Sequence, residues 1–185
     1  MRIAVFSGSF NPLHIGHLAI LERLCGERRF DGVYLVISPV SPFKEDVEQP
    51  SGKARYNAAV AAVKRHPELQ VKVDDIELGM EAPHYTITTL DALKRREPDN
   101  DFTLVIGADN LAEIRRWKDY QKLLTKYGVA VYPRGGIDLE AVRSALLHEN
   151  SLYDIAVIEA PLIDISSTRI REGMARGEDM SAYLM

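Results

Sequence analysis

Six short apolar runs recur along the chain with stretches of helical periodicity between them, and that alternation limits the fold more than any other feature. The runs are RIAVFS at 2–7, VYLVIS at 33–38, LQVKVDDI at 69–76, DFTLVIG at 101–107, VAVYP at 129–133 and YDIAVIE at 153–159. Helices are expected over 15–28, from Ser51 to Lys64 ahead of Pro67, from Thr86 to Glu97 ahead of Pro98, in broken form over 109–127, from Asp138 to His148, and from Ser167 onward. Strands that are apolar at nearly every position are covered on both faces, and parallel neighbours need a crossover helix. The expected class is therefore α/β: a doubly wound parallel sheet, Rossmann-like, in one domain spanning 1–185. Ligands of such sheets sit beyond the carboxyl ends of the strands. That directs attention to residues 7–17, 38–50, 107–117, 133–137 and 160–171.

A formal net charge of −4 speaks against a general nucleic-acid surface, so an anionic ligand has to be met by local cations. The single cysteine, Cys25, cannot form an internal disulfide, and its spacing with Leu18, Leu21 and Leu24 reads as a core thiol. Neither a signal-peptide pattern nor an apolar run of membrane-spanning length is seen, so no membrane partner is expected and the cytoplasm is the expected compartment. PVSPFKEDVEQPSG, from residue 39, reads as the longest loop. DMSAYLM at 179–185 reads as either a loosely held tail or a docking segment, and Asp74, Asp75 and Glu77 read as solvated charges near a strand end.

The first connection, FSGSFNPLHIGH at 6–17, carries the most chemistry. Gly8 after a strand permits a sharp turn with unobstructed N–H groups, yet neither GxGxxG nor GxxxxGK[ST] is present. His14 and His17 stand instead at a helix start. They can be capping residues, or two N–H donors for a polyphosphate. As zinc ligands they lack a third partner, so no protein-held metal is expected. ISSTRIR at 165–171 offers Ser166, Ser167 and Thr168 as caps, with Arg169 and Arg171 following. Hydroxyls, free helix N–H groups and guanidinium forks in one turn serve equally as a helix start and as a phosphate site.

Taken together, GSFNPLHIGH and ISSTRIR resemble the HxGH and ISSTxxR signature pair of the nucleotidyltransferase superfamily. SPFK at 41–44, HYTITTL at 84–90, IGADNLAEIRRW at 106–117 and YPRGG at 132–136 are similar to segments of bacterial nicotinate-nucleotide adenylyltransferases, in the same order, so the resemblance runs nearly end to end. It implies the nucleotidyltransferase fold and adenylyl transfer from ATP, with Mg²⁺, to nicotinate mononucleotide. It departs at Ser7 and Asn11, where many members carry Gly and Asp, and at Met185, beyond which relatives often run further. Phosphopantetheine adenylyltransferases share the superfamily but typically have Thr in place of His14. The alternative of another class is a non-catalytic nucleotide sensor on the same fold. Association of identical subunits is left open.

The roles that the resemblance implies are these. ATP phosphates lie against Gly8, Ser9, Phe10 and the helix starting at Ser167, with Ser166 and Thr168 beside it. His14 and His17 steady the α-phosphate, and Arg171 meets the departing pyrophosphate. Gly107 and Asp109 line the adenosine pocket, although Asp109 also reads as a helix cap. For the mononucleotide, Trp117 stacks on the pyridine ring, N–H groups near Tyr85 and Thr86 hold the carboxylate, and Lys44 and Arg134 meet the phosphate.

Overall fold

The computed structural model describes residues 1–39, 50–161 and 163–185. Its strands, β1 (Arg2–Gly8), β2 (Gly32–Ile37), β3 (Val71–Asp74), β4 (Asp101–Gly107), β5 (Val129–Tyr132) and β6 (Ile155–Val157), form one sheet in the order β3-β2-β1-β4-β5-β6. Every pairing is parallel, with Phe6 opposite both Leu35 and Val105. The helices among the described residues are α1 (Ile15–Gly26), α2 (Gly52–Val63), α3 (Thr86–Arg96), α4 (Ala108–Ala112), α5 (Tyr120–Lys126), α6 (Leu139–Glu149) and α7 (Ser167–Ala175). Chain order reverses between β1 and β4, so their outgoing connections diverge and open a crevice at the carboxyl edge.

The continuous apolar runs resolve into two cores. In β1, Ile3 and Val5 join Leu90 and Leu93 of α3, Leu111 of α4 and Leu146 of α6 on one face. Ala4 and Phe6 join Leu21 and Leu24 of α1 and Ala59 and Ala62 of α2 on the other. The period of two is present in the sequence but masked, because both faces of the strand are buried. Side-chain caps start α2, α6 and α7 as well as α1: Ser51 Oγ accepts from Ala54 N at 3.1 Å, Asp138 Oδ1 from Ala141 N at 3.0 Å and Ser166 Oγ from Arg169 N at 3.2 Å. Cys25 packs against the second core, and burial pushes its thiol up. No helix among the described residues is long and apolar enough to cross a membrane.

Two expectations are corrected. The strand expected over 69–76 ends at Asp74, because Ile76 N donates to Asp74 Oδ1 at 3.1 Å and the chain turns into a 3-10 helix at Ile76–Gly79. Asp74 and Glu77 are buried, at 4% and 6% exposure, and only Asp75 of that trio lies in solvent. Burial works to raise the Asp74 carboxyl, but the Arg96 guanidinium, bonded to both its oxygens at 3.0 and 2.6 Å, holds it below the usual carboxylate range. The C-terminal segment is docked: Leu184 forms an antiparallel bridge with His14, and Met185 is buried, its carbonyl accepting from Arg65.

Leu21 is fully buried between α1 and the sheet. Leu21→Ala is expected to lower unfolding stability by about 2–5 kcal/mol, read from the midpoint of a urea titration.

Candidate active site

β1 delivers Ser7 and Gly8 to the carboxyl edge of the sheet, beside the point where chain order reverses. The reversal expected at Gly8 is made two residues later, at Phe10, with φ 44°. A bulky residue there is strained by about 1–3 kcal/mol and has to be held by its surroundings. The Phe10 ring is buried edge-on against Phe6, with centroids 5.3 Å apart. Gly8 provides room for it, since a Cβ at Gly8 would stand 3.1 Å from that ring. From below, Arg55 of α2, 2% exposed, donates to Ser9 O at 2.7 Å and Ser38 O at 2.8 Å.

His14 is the N-cap of α1: its Nδ1 accepts from Gly16 N at 3.2 Å, while its own N–H donates to His17 Nδ1 at 3.3 Å. The two rings stack with centroids 3.7 Å apart. Each Nδ1 accepts a backbone N–H, so this pattern assigns the proton of both neutral rings to Nε2. Burial, then the nearby Arg134 charge, pushes His14 down to about 4. Burial pushes His17 down to about 3, with His14 and Arg134 adding to the effect. Capping and anion recognition are therefore compatible: the inner nitrogens hold the helix start, and each ring keeps a neutral N–H donor.

The start of α7 is fastened to this turn. Ser167 Oγ donates to Pro12 O at 3.0 Å, and Arg171 donates to Asn11 O at 2.6 Å and to Thr168 Oγ1 at 3.2 Å. The two segments line one cleft of about 490 Å³. Gly8, Ser9, Phe10, His14 and His17 come to it from the first turn, and Ser166, Ser167, Thr168 and Arg171 from the α7 turn. Thr86, Trp117 and Arg134 complete it from other connections. Arg169 bonds instead to Asp164 O at 3.3 Å, away from this group.

Gly107, Asp109 and Tyr85 adjoin the cleft, each next in sequence to a residue that lines it. Asp109 is the second residue of α4 and makes no capping bond, so the helix-cap reading does not hold. Its Oδ1 is buried without a hydrogen-bond partner among the described residues, and its Oδ2 lies 3.6 Å from Arg134 Nε. A Cβ at Gly107 would run into Asp109 Oδ1. Tyr85 is the N-cap of α3 and Thr86 opens that helix; Thr88 N and Thr89 N donate to Tyr85 O, so Thr86 and Ile87 carry the first-turn N–H groups without an intrahelical partner among the described residues. Trp117 ends the short 3-10 turn at Ile114–Arg116, half-buried, with one part against the core and another on the cleft. Lys44 lies outside the described residues.

Three residues that support the cleft were not anticipated: Ser38, Arg55 and Glu77. Arg55 had a signal, since it shares a helix face with the buried Ala59 and Ala62, four and seven positions on. Glu77 had none, being one acidic residue among several. Among the described residues no three His, Cys, Asp or Glu side chains converge so as to hold a metal ion.

The family described as cytidylyltransferase-like matches residues 5–173. A "Probable nicotinate-nucleotide adenylyltransferase" of Bacteroides fragilis is 35% identical over 183 residues, 99% of this chain and 87% of that protein. One of Porphyromonas gingivalis is 37% identical over 184 residues, covering 100% and 89%. The same fold is seen in a solved Plasmodium falciparum nicotinic acid mononucleotide adenylyltransferase complexed with NaAD, with a TM-score of 0.80 at 20% identity over 99% of this chain and 90% of that one.

In an NMR titration of the imidazoles, His14 is expected to stay neutral until the pH falls to about 4 and His17 until about 3, against an ordinary value of 6.5. The unfolded chain then binds protons near 6.5 that the folded one refuses, so these rings make stability fall as pH drops below about 6.5.

Proposed function

Because the chain belongs to the cytidylyltransferase-like family and, within it, to the nicotinate-nucleotide adenylyltransferases, we propose that it transfers the adenylyl group of ATP to nicotinate mononucleotide. The products are nicotinic acid adenine dinucleotide and pyrophosphate, a step of NAD synthesis. The observation that carries this reading is the pair of bonds from Ser167 to Pro12 O and Arg171 to Asn11 O, which bring a neutral imidazole pair and a guanidinium to one cleft.

In this reading an oxygen of the mononucleotide phosphate attacks the α-phosphorus of ATP. A new P–O bond forms as the α–β bridging bond breaks, and the electron pair leaves on pyrophosphate. No covalent enzyme intermediate is needed, and catalysis is positioning plus charge stabilisation. The Nε2–H groups of His14 and His17 donate to the α-phosphate oxygens as charge spreads over them. Their depressed pKa values support this role, because it needs no change of protonation state near neutrality. Arg171 meets the departing charge, and the N–H groups of Ser9, Phe10 and the α7 start, with Ser166 and Thr168, hold the remaining phosphates.

Asp109 accepts from ribose hydroxyls, a role supported by its unpartnered Oδ1, while Gly107 leaves that carboxylate its space. The pyridine ring stacks on Trp117, and its carboxylate takes the first-turn N–H groups of α3 at Tyr85 and Thr86, which favours nicotinate over nicotinamide. Arg134, beside Asp109 and near both histidines, offers positive charge to the mononucleotide phosphate. Lys44 is retained as a second cation on the sequence reading alone. Mg²⁺ bound to the ATP phosphates supplies screening of their charge.

Full-length protein with ATP and Mg²⁺ is expected to release pyrophosphate with nicotinate mononucleotide, much less with nicotinamide mononucleotide, and none with phosphopantetheine. ATP binding without release in every case would favour a sensor. His17→Ala is expected to lower kcat by about 10²-fold or more, while the unfolding midpoint moves far less.

A further inference from the structure

Glu77 is a buried carboxylate outside the phosphate clamp, in the 3-10 helix that follows β3. One of its oxygens, Oε1, takes two hydroxyls: Ser7 Oγ donates to it at 3.1 Å and Thr89 Oγ1 at 3.0 Å. Ser7 Oγ also lies 2.8 Å from Ser38 Oγ. A hydroxyl has one proton, so with that of Ser7 committed to Glu77, Ser38 is the donor in the second bond. The hydrogen-bonded chain therefore runs from Ser38 at the end of β2, through Ser7 at the end of β1, to Glu77, with Thr89 of α3 arriving from the other side.

The two ends of this chain of bonds are the two halves of the cleft. Ser7 and Ser38 line it directly, and Ser7 immediately precedes Gly8, where the phosphate turn begins. Thr89 lies one turn into α3. Its backbone N–H donates to Tyr85 O at 3.2 Å, and its hydroxyl is 3.4 Å from the same carbonyl, so its place is tied to the N-cap of the helix. Beyond these, α3 meets the sheet through apolar contacts at Ile87, Leu90 and Leu93 and, at its far end, through the Arg96–Asp74 and Lys94–Asp101 pairs, so the Thr89 bond is the directional one near the start of the helix.

We propose that Glu77 is a positioning residue that sets the start of α3 at a fixed distance from the phosphate turn, and so sets the mononucleotide carboxylate site relative to the histidine pair. The proposal rests on the functional reading above for what binds at α3. Ser7 is one of the positions where the sequence departs from the family resemblance, so the bond from β1 to Glu77 is a feature of this chain's own residues. Glu77 touches no reacting atom, and its effect is passed on through Thr89 and Ser7.

The test compares wild type, Glu77→Ala, Glu77→Gln and Thr89→Val in steady-state assays that vary ATP and nicotinate mononucleotide separately. Glu77→Ala and Thr89→Val are expected to raise the KM for the mononucleotide about tenfold while the KM for ATP moves less than about twofold. Glu77→Gln keeps an oxygen able to accept both hydroxyls, so it is expected to stay within about threefold of wild type. The proposal is overturned if both KM values rise together, if neither moves, or if Gln behaves as Ala does. Should Glu77→Ala fail to fold, the contrast between Thr89→Val and Glu77→Gln decides it. A wild-type protein inactive on nicotinate mononucleotide would sink the functional reading instead, and calorimetric affinities of the same variants for the two nucleotides would then decide the positioning claim separately.

Discussion

The structure depends on β1 being paired in parallel on both sides, with β2 on one flank and β4 on the other. A strand held in that way has no exposed edge, and both its faces are buried, so its carboxyl end is among the most firmly fixed points in the molecule. The histidine turn is built on that end. A left-handed residue such as Phe10 is tolerated there because the strand before it, the α1 cap after it and Arg55 beneath it leave the backbone little freedom.

The same fixed point explains how one short segment does two things at once. The imidazoles of His14 and His17 use their inner nitrogens to complete the start of α1, which buries the rings and lowers their basicity. A charged pair of rings stacked 3.7 Å apart would repel, so neutrality is what makes the arrangement stable. It is also what leaves a donor on each ring without adding charge. Helix capping and the proposed phosphate contact ask for the same protonation state.

Much of this was legible in the residues. The layout of strands and helices followed from apolar runs and caps, and Asp101–Gly107 falls where its sequence run places it. The two signature segments were paired through the family resemblance, since each alone reads equally well as a helix start. What escaped reading had a common cause. Glu77 and Asp74 looked like solvated charges because nothing local announces the partners that make burial tolerable: Arg96 is 22 residues from Asp74 and Thr89 is 12 from Glu77. The turn at Phe10 was assigned to Gly8 because glycine is the cheapest residue at positive φ, while the packing that holds a phenylalanine there is tertiary.

The bond from Arg171 to Asn11 spans 160 residues of sequence. During synthesis the histidine turn emerges long before the helix that fastens to it. All six strands can be in place while the cleft still lacks a wall. The cleft is thus completed only when α7 docks, so a formed sheet is not yet a formed cleft.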